Sequence, residues 1–173
     1  MPSQFRRILT GALLVMIPFL AIPDPPRQVF AGGQFVQFPI NSLHKYRNGM
    51  ELNNWTRVRV RVDGLTPTTN WRYIIYALDE DMIGDMPPNK LDLDYLKIQV
   101  VLTSISGFTI ITADTAPTDL SQIEHIFVTG QGNGEFELLI SYKLGIDPLK
   151  PLLGERPDFY NVDLEFRLES DIP

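Results

Sequence analysis

The sharpest pattern in the chain is Trp55-Thr56-Arg57-Val58-Arg59-Val60-Arg61-Val62, in which valine and arginine alternate. A period of two puts Val58, Val60 and Val62 on one face of a strand and Arg57, Arg59 and Arg61 on the other. The pattern predicts a strand over 55–62 with one face on a core and one on water, ended by the turn residues Asp63-Gly64. The same alternation recurs downstream. Leu96, Ile98, Val100 and Leu102 alternate with Lys97 and Gln99, and Phe136, Leu138, Ile140, Tyr142 and Leu144 form a second inward set. Val162, Leu164, Phe166 and Leu168 form a third, with Asp163, Glu165 and Arg167 facing out. Residues 71–77 are apolar at both parities, as expected for a central strand covered on both faces.

Residues 108–113 and 123–129 read as two more strands. Residues 34–40 read as an edge strand or extended arm, because Pro39 cannot donate within a central ladder. Gly107, between 96–102 and 108–113, suggests a hairpin, and Gly130-Gln-Gly-Asn-Gly134 is the strongest turn signal. The polar stretch 44–54 carries a turn at Asn48-Gly49, and 79–94 is an irregular acidic stretch holding Gly84 and Pro87-Pro88. No segment keeps a 3.6-residue period. About eight strands with turns between them predict an all-β fold, an antiparallel β-sandwich of Ig-like or jelly-roll type.

The N-terminus follows different rules. Arg6 and Arg7 precede the apolar run 8–22, broken by Thr10, Gly11 and Pro18. This matches a secretory signal peptide over 1–31, with Val29 and Ala31 at −3 and −1 of a cut before Gly32. The run is shorter than the ~20 residues that a spanning helix needs. The expected mature protein is one sandwich domain over 32–173 with a short arm at 32–40, outside the cytoplasm: periplasmic, surface-bound or secreted.

Composition narrows the classes of function. The 173 residues carry a net charge of −6, and removing 1–31 makes it −8, which argues against nucleic acid and anionic membranes as partners. The chain has no cysteine, so disulfides, thiolate metal sites and thiol nucleophiles are all excluded.

Several residue groups have chemical potential. Asp79, Asp81 and Asp85 begin like a calcium loop, but Ile83 occupies a ligand position and Lys90 stands where a bidentate Glu belongs, so an EF-hand is rejected. An irregular calcium site or a solvated acidic loop remains. Trp55 and Trp71, with Tyr73, Tyr76 and Tyr160, could build a platform for sugar rings or could simply be core. The Arg57/Arg59/Arg61 ladder offers an anion-binding stripe, or a solubilising face paired with acids such as Asp163 and Glu165. His44 and His125 are the only histidines, no Gly-x-Ser-x-Gly is present, and no catalytic motif stands out, so a non-enzymatic protein is expected. Phe35, Phe38 and Ile40 give the arm apolar anchors, which can pair with their own domain or exchange into a neighbour.

The final stretch Arg156-Pro-Asp-Phe-Tyr-Asn-Val-Asp-Leu-Glu-Phe-Arg-Leu168 resembles the closing strand of bacterial secreted sandwich subunits of the pilin and spore-coat-protein-U-like kind. The resemblance covers about a dozen residues. It implies a non-enzymatic subunit that assembles with copies of itself or with other envelope proteins. The alternative expectation is a carbohydrate-binding module, with calcium as a candidate cofactor.

Overall fold

Val58, Val60 and Val62 are fully buried while Arg57, Arg59 and Arg61 stand in solvent, so the parity of the opening pattern is the parity of the fold. The computed structural model describes residues 27–32, as backbone only, and 36–170. In chain order these form β1 (Arg27–Gly32), β2 (Phe38–Ile40), α1 (Leu43–Asn48), β3 (Met50–Val62), β4 (Asn70–Ala77), β5 (Asp81–Gly84) and β6 (Lys90–Asp92). A 3-10 turn at Leu93–Tyr95 leads to β7 (Leu96–Ser106), β8 (Thr109–Ala113), β9 (Thr118–Asp119), β10 (His125–Gln131), β11 (Gly134–Leu144), β12 (Asp158–Asn161) and β13 (Leu164–Ser170).

The fold is an all-β antiparallel sandwich. One sheet has the order β1-β3-β11-β7-β9 and the facing one β13-β4-β10-β8. Trp71 on β4 meets Phe136 on β11 across the gap, and the inward sets of β3, β7 and β11 lie in one continuous core, against which Leu102, Val162, Leu164, Phe166 and Leu168 pack half-buried. A third sheet, β2-β12-β5-β6, contributes Phe38, Ile40, Met82, Leu91 and Tyr160 to the same core.

Three local expectations are corrected. Residues 96–102 and 108–113 do not make a hairpin: β7 and β8 lie in different sheets. Gly107, at φ +88°, turns the chain across the sandwich, and the Phe108 ring packs half-buried against the core, 5.0 Å from Trp71 and 5.5 Å from Phe136. Burying that ring favours the crossing over a return within one sheet.

The polar stretch 44–54 is not simply a turn. Ser42 caps α1 by accepting from the Lys45 amide at 3.4 Å, Gly49 ends it, and β3 begins at Met50. Nor is 79–94 irregular throughout. It holds β5, β6 and the 3-10 turn because Asp158 on β12 ties the connection down, accepting from Met86 N at 3.0 Å and Asn89 Nδ2 at 2.8 Å.

The expected leader lies outside the described residues as far as 26. Its last stretch does not: Arg27–Gly32 is β1, paired with β3 from Arg27↔Arg61 to Gly32↔Arg57. A cut before Gly32 would fall inside this strand.

Candidate interaction site

The last part of the expected arm, Phe38–Ile40, pairs within its own domain. Phe38 pairs with Tyr160 and Ile40 with Asp158, and both apolar side chains are fully buried. Phe35 lies outside the described residues. These anchors are therefore part of the core, where burial of each contributes about 1.5–3 kcal/mol.

The aromatic platform is not assembled. Trp71 is 2% exposed, stacked on Phe136 and fitted against Gly130, where a Cβ would lie 2.2 Å from the indole. Of the five platform candidates, Trp55, on the arginine side of β3, is the one that keeps a large exposed surface, at 48%.

The acidic trio is also dispersed. Asp81 binds Lys90 at 2.9 Å, Asp79 accepts from Asp163 N at 2.9 Å, and Asp85 accepts from Asn161 Nδ2 at 3.0 Å. Asp79 and Asp85 line a shallow groove with Ile83, Asn161 and Asp163, yet no group of three or more acidic or histidine side chains among the described residues could hold a metal ion. At least one oxygen of each carboxylate in the trio is turned to a local structural partner.

The arginine ladder is neutralised from a strand other than the one expected. Arg59 lies 3.2 Å from Glu135 and 3.6 Å from Glu137, Arg57 lies 3.6 Å from Glu137, and Arg61 lies 2.6 Å from Asp63. The register explains it: β11 places Glu135 opposite Arg61 and Glu137 opposite Arg59. Asp163 and Glu165 belong to the facing side of the molecule. His44 stands exposed on α1, and His125 on β10 places Nε2 2.8 Å from Asp114. That contact, followed by the Ala116 amide, holds the Asp114 carboxyl below its ordinary range.

What the strands leave open is a margin. β7 pairs with β11 along its length, but on its other side β9 reaches only Lys97 and Ile98. Among the described residues, no strand pairs with that edge over 99–106. Among the described residues β8 is likewise the last strand of its sheet, bonded only to β10. Gly107 and Phe108 alone separate β7 from β8, so the two open edges adjoin. Val101, Ile105 and Ile111 are exposed along them, at 38%, 51% and 52%.

From Ile98 to Ala113 the chain contains no charged residue, no proline and one glycine. Edge strands are ordinarily blunted by lysine, proline or inward-pointing charge. β13, at the far side of the sandwich, is blunted in this way: Glu165, Arg167 and Glu169 alternate along it, and Arg167 pairs with Glu124 and Glu169. The β7–β8 margin carries only a register shift near Leu102–Ser104, where Thr103 Oγ1 lies 3.2 Å from Glu137 Oε1. The uncharged run was visible in the sequence, but its significance depends on knowing that both strands are edges.

Compared with known families and curated proteins, the chain matches no family model and no curated sequence.

Proposed function

We propose that this is an exported, non-enzymatic β-sandwich that works through its surface, as a structural or assembly subunit of a cell-surface filament, surface layer or envelope complex. The observation that carries this reading is the open β7–β8 margin, uncharged and set with exposed isoleucine and valine. Such an edge presents free backbone donors and acceptors beside apolar side chains, the combination that recruits another strand. Export rests on the leader pattern of residues 1–31. His125, the acidic loop and the arginine ladder are engaged in local contacts within the fold, which leaves association as the activity best served by the surface.

Native fractionation of the producing cell tests this. The chain is expected outside the cytoplasm in particles several times the mass of one copy. Recovery as a cytoplasmic monomer would overturn the proposal.

A further inference from the structure

We infer that the partner at the β7–β8 margin is a second copy of this chain, paired edge to edge and antiparallel about a two-fold axis. The inference rests on the assembly reading above and names its partner.

The argument begins with charge. In a two-fold contact the same patch faces itself, so each residue lies near its own counterpart or a near neighbour. An acidic chain, at −6 overall, repels its own copy over most of its surface. Residues 98–113 remove that penalty, because Gln99, Thr103, Ser104 and Thr109 are neutral hydrogen-bonding groups that can sit opposite themselves. A foreign partner drawn to an acidic protein by charge would need carboxylates at the contact. Residues 98–113 supply none, and the Glu137 carboxylate that adjoins them on β11 is held by Thr103, Arg57 and Arg59.

Geometry points the same way. Residues 99–106 of β7 offer a stretch long enough for antiparallel pairing, and an antiparallel strand pair has the symmetry of a two-fold axis. The new ladder would satisfy the open backbone groups of both copies and cover Val101 and Ile105. Ile111 on the adjoining edge would be covered by the flank of the same copy.

The test uses the full chain as the cell exports it. Analytical ultracentrifugation should show a concentration-dependent dimer, and Ile105→Lys or Ile111→Lys should each weaken it at least about tenfold by placing like charges across the axis. At dilutions where the parent is monomeric, the melting temperature should stay near that of the parent, since both positions are exposed in the single chain. A second arm uses the absence of native cysteine: Thr103→Cys or Ser104→Cys should yield a disulfide-linked dimer in air, while Glu165→Cys on β13 should not. This arm reads the contact without adding charge, so it holds even if a lysine variant folds poorly. A chain still monomeric at about 100 µM, or a dimer indifferent to both lysines and linked no faster through 103 or 104 than through 165, overturns the inference. If the purified chain is monomeric yet exported material remains in larger particles with other chains, self-pairing fails while the assembly reading stands. Monomer in both preparations removes both.

Discussion

Trp71 on β4 and Phe136 on β11 stack with ring centroids 5.1 Å apart and planes 10° from parallel, joining the two sheets at one end of the sandwich. Phe108 and Tyr73 meet Phe136 edge-on, at 5.5 and 6.0 Å. The chain makes room for this cluster by using glycine beside it. A Cβ at Gly130 would lie 2.2 Å from the Trp71 ring, and one at Gly134 would lie 2.3 Å from the Phe108 ring.

Phe136→Ala should therefore cost about 3–5 kcal/mol, because it leaves a cavity among three rings that cannot all collapse into it. Gly130→Ala should also destabilise, since the indole would have to leave its place between the sheets. Urea denaturation of both variants checks this. A Gly130→Ala chain as stable as the parent would mean that Trp71 is not seated against that backbone.

Val60→Asp and Arg59→Asp separate the two faces of β3. Val60 is fully buried, so an unpaired carboxylate there should cost several kcal/mol. Arg59 is solvent-exposed beside Glu135 and Glu137, and its reversal should cost about 1 kcal/mol or less through lost pairing and like-charge contact. Chemical denaturation gives both values. Similar losses at the two positions would contradict the burial of one face only.

The strand faces could be read because alternation is a local property: the valines of β3 and the inward sets of β7 and β11 need only the pleat to be placed. Sheet membership could not be read. Gly107 looks the same in a hairpin and in a crossing between sheets, and what separates them is where the Phe108 ring packs. The third sheet was hidden for a similar reason, since β5, β6 and β12 are three or four residues long and are held by Asp158, some seventy positions away from its partners Met86 and Asn89. Trp71 could be taken for a surface aromatic until its distant partner Phe136 was in place. The interaction site was half legible: the uncharged run can be seen in the letters, but an edge is defined by which neighbour is missing.

Asp158 makes stability depend on acid. Burial raises its pKa, but hydrogen bonds from Asn89 and from the amides of Met86, Phe159 and Asp85 outweigh this and hold it below the ordinary carboxylate value. A group depressed on folding contributes stability that is fully present above its unfolded pKa, near 3.9, and is lost as pH falls through the lower folded value. Melting temperature followed from about pH 6 down to pH 2 should therefore drop below about pH 4. Asp158→Asn should melt lower than the parent at neutral pH and show a shallower acid limb. An unchanged limb in that variant would assign the acid sensitivity to other carboxylates, such as Asp114 and Asp147, which are also held low.

The last expectation concerns where the folded chain must begin. β1 pairs with β3 through Arg27, Gln28, Val29, Phe30 and Gly32, opposite Arg61, Val60, Arg59, Val58 and Arg57. A chain begun at Gly32, where the leader pattern predicts the cut, would lose that ladder and leave the outer edge of β3 open. A chain begun at Asp24 would keep it. With each net backbone hydrogen bond contributing about 0.5–1.5 kcal/mol, the shorter chain should be less stable by on the order of 2–4 kcal/mol. Amides in 57–61 that face β1 should exchange faster in the shorter chain, and the newly open edge should raise its tendency to associate. Denaturation and hydrogen exchange on the two chains measure this, and N-terminal sequencing of exported material shows which form the cell makes. Equal stability and equal exchange would mean that β1 adds nothing to the sheet and that a cut before Gly32 leaves the sandwich intact.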